Sequence, residues 1–197
     1  MRVWNYVDNC CEMKQSFTQE LLSCALHPSG YYMAVALDEQ IRLYHLLHED
    51  TKQFNSYELK NTKRIKFSSG GQYFCAVDHK NVYIFHTFSL KLVRNLQVPP
   101  NTLNTIAFSF DDSKLVFISS DGILQNFDLN DFTRVGENRI DRAYSYKSAM
   151  FLSHEDPEDD QVITVGTQKD VDASIRIFKG DEMLVSLNYA DGSNLNG

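Results

Sequence analysis

The 197 residues are 43% hydrophobic and 12% aromatic, enough for one folded domain or slightly more and too apolar for wholesale disorder. Nineteen basic against 26 acidic residues leave a net charge of −7, which argues against a dedicated duplex-binding face, since that requires a basic excess. No apolar run approaches the ~18 residues of a membrane-spanning helix, and the first fifteen residues lack the apolar stretch of a secretory signal.

Read in chain order, RVWN opens the sequence as a short strand carrying Trp4, and a second strand is expected around KQSFT at 14–18. A turn-like LHPSG follows at 26–30. Asp38 then opens a turn before the alternating strand QIRLY, which ends at Tyr44. His45 and His48 lie three apart, followed by Glu49 and Asp50. Such groups can ligate zinc, but at this spacing in a strand they point to opposite faces, so a loop leaving the strand is favoured. Lys60, Lys63, Arg64 and Lys66 then place four positive charges within seven residues. They are the candidate partner-docking site, expected in an exposed connection; the competing reading is a strand edge that uses charge to discourage aggregation.

The pattern then recurs. FSSGG occupies 67–71, Asp78 opens a turn, and NVYIF ends at Phe85. The third period is the most regular, with strands expected over 103–110, 113–120, 123–129 and 133–140, separated by FDD, DG and ND. Asp121 precedes its aromatic Phe127 by six residues. The last period opens on LSHED at 152–156, and Asp172 lies six before Phe178 in SIRIF. The acidic residues Glu155, Asp156, Glu158, Asp159 and Asp160 surround Pro157 there. Without a Gly for the bend they do not make a calcium loop, and a solvated insertion is expected.

The turn stretches begin at Leu26, Phe67, Phe108 and Leu152, spaced 41, 41 and 44 residues apart. The aromatics Trp4, Tyr44, Phe85, Phe127 and Phe178 are spaced 40, 41, 42 and 51. The turn aspartates Asp38, Asp78, Asp121 and Asp172 suit their position because a carboxylate can bond nearby backbone N–H groups. Four antiparallel strands in each period of roughly 40–45 residues mark a propeller blade; an ordinary β-sandwich has no reason to repeat these landmarks. The expected fold is all-β, a β-propeller of about four and a half blades. The divisions are 1–19 (the last two strands of a blade), blades at 20–61, 62–98, 99–141 and 142–190, and a tail at 191–197.

The four cysteines, Cys10, Cys11, Cys24 and Cys75, form neither a disulfide framework nor a zinc pattern, and are expected to be reduced. The sequence holds no G-x-S-x-G, no P-loop and no G-x-G-x-x-G. No catalytic, cofactor-binding or metal residue is therefore assigned.

RVWN, IRLYH, DGILQNFDL and DASIRIFK resemble the D-G-x-I-x-L-W-D strand of the WD40 repeat family, and FSSGG and FSFDDSKLVFISSDG resemble its F-S-P-D-G stretch. The match is degenerate. Tyr or Phe replaces Trp in four of five repeats, and His45, His86 and Lys179 stand where that family has Asp, which only Asp128 keeps. No Gly-His dipeptide occurs, so the family's buried Asp-His-Ser/Thr-Trp network is absent. The succession RVWNY, ALHPSGYY, IRLYHLLHEDTKQFNSYEL, FSSGGQYF and DDSKLVFISSDG is similar to part of the second propeller of the cilia- and flagella-associated protein 57 family. That resemblance implies a non-catalytic scaffold of the axoneme. Its partners would be other axonemal proteins, inner dynein arm components and tubulin, with no cofactor, nucleic acid or membrane. A soluble cytosolic or nuclear adaptor is the alternative, and a propeller hydrolase a more distant one. The expected chain is a segment of a longer protein, because it opens at the third strand of a blade and holds no coiled-coil heptads.

Overall fold

The computed structural model describes residues 1–47, 50–98, 103–120, 122–140, 144–152, 161–168, 171–179 and 182–188, and every regular element among them is a strand. A two-stranded hairpin of β1 (Arg2–Asn5) and β2 (Cys10–Lys14) comes first. Four antiparallel sheets follow. The first holds β3 (Leu21–Leu26), β4 (Tyr32–Leu37), β5 (Ile41–Leu46) and β6 (Thr51–Tyr57); the second β7 (Arg64–Phe67), β8 (Tyr73–Val77), β9 (Asn81–His86) and β10 (Leu92–Gln97). The third holds β11 (Leu103–Phe108), β12 (Lys114–Ser119), β13 (Ile123–Asp128) and β14 (Arg134–Arg139); the fourth β15 (Tyr144–Phe151), β16 (Gln161–Gln168), β17 (Val171–Lys179) and β18 (Glu182–Asn188). In each sheet, chain order is spatial order, the simple meander that short turns dictate. The four strand windows read from the third period each enclose one of β11–β14.

One expectation is corrected. The second strand of the opening hairpin is Cys10–Lys14, not the KQSFT stretch. Its residues alternate between exposed and half-buried, as a strand with one wet face requires. Phe17 instead leaves the hairpin and packs against the cluster of Met33, Val35, Leu37 and Tyr44.

The chain divides into two compact units, one of Met1–Phe67 and Gly71–Gln97, the other of Ser68–Gly70 and Val98–Gly197. In the first, β4 is covered on both faces. Met33, Val35 and Leu37 join the cluster just named, while Ala34 and Ala36 join Ile41, Leu43, Ile65, Phe74, Ala76 and Phe85. This double burial explains why YMAVAL is apolar without alternation. In the second, Ala107, Val116, Ile118 and Leu124 are buried against Tyr146, Ala149, Val162 and Phe178.

The repeating aromatic has a structural counterpart that composition does not disclose. Opposite each one, the fourth strand carries an extra residue. Pairing runs Val3↔Met13 then Trp4↔Cys11, Leu43↔Asn55 then Tyr44↔Gln53, and Ile84↔Arg94 then Phe85↔Leu92. It continues as Asn126↔Gly136 then Phe127↔Arg134, and Ile177↔Val185 then Phe178↔Met183. Glu12, Phe54, Val93, Val135 and Leu184 are the residues passed over. Such a bulge bends the strand and increases its local twist. Tyr44, Phe85, Phe127 and Phe178 are buried at this place, at 3–8% exposure, whereas Trp4 is 56% exposed.

Candidate functional site

The candidate docking charges divide by element. Lys60 and Lys63 lie in the connection between β6 and β7, but Arg64 and Lys66 belong to β7 itself, which corrects the placement of all four in a loop. The reason is Ile65. It is 5% exposed and packs with Phe74 and Phe85, so the strand must begin there, and its alternation throws Arg64 and Lys66 to the other face. Lys60, Lys63 and Arg64 are exposed. Lys60 Nζ lies 3.8 Å from Glu39 Oε1 with both side chains mostly in water, a pairing worth little. Lys66 is half-buried and pairs in register with Cys75. Burial pushes its ammonium below the ordinary lysine range; Cys75 opposes this and the Arg64 charge adds to it.

The turn aspartates behave unequally. Asp78 Oδ1 accepts the Lys80 and Asn81 N–H groups at 2.6 and 2.7 Å, and its Oδ2 accepts from Asn81 Nδ2 at 3.1 Å and the Tyr83 hydroxyl at 3.3 Å. Burial raises this carboxyl, but these donors outweigh it and hold it below the usual carboxylate range. Asp38 is exposed, and its backbone carbonyl accepts the Asn61 N–H at 2.9 Å. Asp121 lies outside the described residues, as does the side chain of Asp172. His48, Glu49 and the acidic run around Pro157 are also outside them. His45 packs against Phe54 and Tyr32, with centroids 4.2 and 5.2 Å apart. Among the described residues no group of three or more His, Cys, Asp or Glu is placed to hold a metal ion.

The first unit also holds a buried hydrogen-bonded histidine that no sequence motif marks. His27, in the turn LHPSG, is 4% exposed. Ser29 N–H donates to its Nδ1 at 3.0 Å, so Nδ1 is the acceptor nitrogen. Nε2 therefore carries the proton and donates to the Gly71 carbonyl, 44 residues on, at 3.0 Å. The ring also stands edge-on to Phe67 and Tyr32 at 5.2 and 5.4 Å. Gly71 has φ +79°, and a Cβ there would overlap the His27 ring.

In the second unit, Ser68 Oγ donates to Asp112 Oδ2 at 2.7 Å, and Gly70 N–H donates to the same oxygen at 3.0 Å. Ser68 and His27 are second residues of their turns; Asp112 and Gly71 are fifth residues of the turns that follow. The fifth residues Gly30, Gly71 and Asp112 share left-handed backbone, at φ 76°, 79° and 59°, which Gly adopts freely and Asp tolerates. Aligning LHPSG with FSSGG and FSFDD contains this relation, but nothing in a lone sequence marks it as a contact.

A chain of ring contacts crosses the first unit: Phe54, His45, Tyr32, His27, Phe88, His86 and Tyr73 follow one another at 4.2–6.1 Å. Phe88, which follows His27 in this series, is 62% exposed, and Tyr31, next to Tyr32 in sequence, is 69% exposed. The first unit thus exposes aromatic side chains, Phe88 and Tyr31, and basic ones, Lys60, Lys63 and Arg64.

No family model matches the chain. It is 33% identical over 148 residues to cilia- and flagella-associated protein 57 of Mus musculus, a match covering 75% of this chain and 12% of the relative. It is 33% identical over 125 residues to cilia- and flagella-associated protein 57 A of Tetrahymena thermophila, covering 63% of this chain and 10% of the relative. The chain thus spans about a tenth of the length of these curated relatives. The solved structure of RRP9 WD40 repeats superposes with a TM-score of 0.71 over 87% of this chain and 52% of that one, at 15% identity, which shows the fold alone. Recurring four-stranded sheets, the propeller neighbour and the sequence relatives together make this chain a stretch of WD40-type β-propeller homologous to cilia- and flagella-associated protein 57.

Proposed function

We propose that the chain is a non-catalytic scaffold of the ciliary or flagellar axoneme, built from blades at 20–61, 62–98, 99–141 and 142–190 with 1–19 as part of another. The observation that supports this is its 33% identity to proteins named as cilia- and flagella-associated in a mammal and a ciliate. Its partners on this reading are axonemal proteins, among them inner dynein arm components and the acidic surface of tubulin. The action is positional: stiff sheets hold surface side chains at fixed separations, and partners dock on a few of them. Lys60, Lys63 and Arg64 are the exposed charges suited to an acidic partner, and Lys66 contributes less because its ammonium is half-sunk.

The test replaces Lys60, Lys63 and Arg64 by Gln in the protein expressed in ciliated cells, and follows its retention on isolated axonemes through a salt series. Retention of the unmodified protein should fall as salt rises, because screening shortens to about 8 Å at physiological ionic strength. The triple variant should start lower and show a flatter dependence. Recovery of the unmodified protein wholly in the soluble fraction would refute the axonemal assignment. Identical salt curves would refute the docking role of the three charges.

A further inference from the structure

β10 is an edge of the second sheet, and among the described residues it touches no strand but β9. Each four-stranded sheet ends on such a strand, so an edge alone distinguishes nothing. Charge does. No acidic residue occurs from 79 to 110, in a chain whose net charge is −7. Every other hairpin of a third and fourth strand holds at least one: Asp8 in β1–β2, Asp50 in β5–β6, Asp128 in β13–β14 and Asp172 in β17–β18. Lys91 and Arg94 are exposed, and among the described residues neither is paired with a carboxylate. Arg134 in β14, by contrast, meets Glu137 at 2.8 Å.

The register sets which way each group points. The Lys91 carbonyl accepts the His86 N–H at 3.0 Å, so Lys91 stands opposite His86; Leu92 stands opposite Phe85, Arg94 opposite Ile84 and Asn95 opposite Tyr83. Side chains alternate along β9, so Lys91 and Arg94 share one face of the sheet and Leu92 takes the other. Leu92 is 51% exposed and Val93 37%. Beyond the bulge at Val93, Arg94–Gln97 pairs in unbroken register. Since His86 bonds to β10, the alternation of an antiparallel ladder makes Ile84 and Val82 do so too, through Arg94 and Leu96. The N–H and C=O groups of Asn95 and Gln97 therefore point away from β9.

We infer that β10 receives an added strand from another protein, an extended segment whose residues alternate between acidic and apolar. The outward groups of Asn95 and Gln97 supply the main-chain bonds of strand addition. Lys91 and Arg94 select acidic side chains on one face, and Leu92 and Val93 accept apolar ones beside them. A second copy of this chain does not fit. Two β10 strands paired edge to edge about a twofold axis would gather Lys91 and Arg94 of both on one face of the joined sheet, and like charges across a strand pair are destabilising. Charge that only guarded the edge against aggregation could take either sign, which leaves the exclusion of acid from this hairpin unexplained. The inference concerns a different element from Lys60, Lys63 and Arg64, and it does not depend on the axonemal assignment.

The probe is a short peptide in which Val and Glu alternate, with a peptide of alternating Val and Lys as its counterpart. Each is titrated into the full chain at low salt, and amide exchange is followed residue by residue. The Val–Glu peptide should slow exchange of the Asn95 and Gln97 amides by ~10-fold or more, and the Val–Lys peptide should bind at least ~10-fold more weakly. Asn95→Pro keeps every charge and removes one outward N–H without breaking a ladder bond; it should weaken binding by ~10-fold. Replacing Lys91 and Arg94 by Gln should abolish the preference for the Val–Glu peptide. If either variant loses its thermal transition, exchange in the unmodified chain decides alone. No binding of the Val–Glu peptide, unprotected Asn95 and Gln97 amides, equal binding of the two peptides, or unchanged binding by a folded Asn95→Pro chain overturns the inference. So does a chain carrying Lys91→Gln and Arg94→Gln that self-associates yet binds the peptide as before, since the two charges then only guard the edge.

Discussion

The pairing of His27 with Gly71 can be taken apart by a double-mutant cycle. His27→Ala removes the donor to a buried carbonyl, which costs about 1–3 kcal/mol. It also removes the edge-on contacts with Phe67 and Tyr32, each worth about 0.5–1.5 kcal/mol, so about 3 kcal/mol is expected in all. Gly71→Ala carries the left-handed penalty of about 1–2 kcal/mol at φ +79°. Its Cβ also drives the imidazole from its seat, so most of the same 3 kcal/mol is lost a second way. With both changes together the seat is already vacant, and only the backbone penalty is added. The double variant should therefore be less destabilised than the sum of the singles by about 2 kcal/mol, within the range of coupled neighbours. Gly30→Ala is the control: its φ is +76°, but nothing lies within 4 Å of an added Cβ, so it should show the backbone penalty and no coupling to His27. Urea denaturation followed by far-UV circular dichroism measures all of these. Additivity of His27→Ala and Gly71→Ala within ~0.5 kcal/mol would refute the seat described here.

Phe85 stacks on Phe74 at 4.8 Å and lies 4.5 Å from Tyr57, so Phe85→Ala should cost about 3–5 kcal/mol in a urea titration; a loss below ~1 kcal/mol would remove it from the core. Burial pushes the Cys75 thiol up to about 12, with Lys66 opposing. Its contribution to stability is complete below the ordinary thiol range of about 8.5 and is lost as pH rises toward 12, because the unfolded chain ionises first. Cys75→Ala should flatten that alkaline decline in a pH series of thermal melts, and in the native protein Cys10 and Cys24 should react with a thiol reagent before Cys75 does. Asp78 has the opposite sign. Its depressed carboxyl stabilises the fold above the ordinary range of about 3.9, and this is lost as pH falls through the folded value. Asp78→Asn should lower stability at pH 7 by about 1 kcal/mol and flatten the acid limb of the same series.

What the sequence discloses of this protein follows from which interactions are local. The strands of the third sheet are legible because each is bounded by its own turn chemistry, and the aromatic period is legible because one residue type returns at nearly constant spacing. The bulge beside every aromatic is not, since it is a property of two paired strands. Val93, the residue passed over in β10, looks like any other strand valine until Ile84 and Phe85 are seen to pair with Arg94 and Leu92. The candidate site was harder still. Four neighbouring charges suggest one exposed loop, but a single core residue, Ile65, fixes a strand there, so Arg64 and Lys66 sit on the strand face opposite it and Lys66 is half-buried while the others are exposed. His27 carries no local mark of its role because its partner lies 44 residues away.

The turn contacts also bear on how freely blades can be exchanged. His27 reaches a carbonyl through the space that the missing side chain of Gly71 leaves, whereas Ser68, a shorter donor, meets the longer carboxylate of Asp112. A long residue thus faces a short one, and a short residue a long one. Histidine set against aspartate would crowd, and serine set against glycine would leave a gap. Each turn accordingly works as an address that fits its own successor better than a neighbour's. Recombination that reordered otherwise similar repeats would have to change two positions at once, and in distant relatives these two positions should drift as correlated pairs.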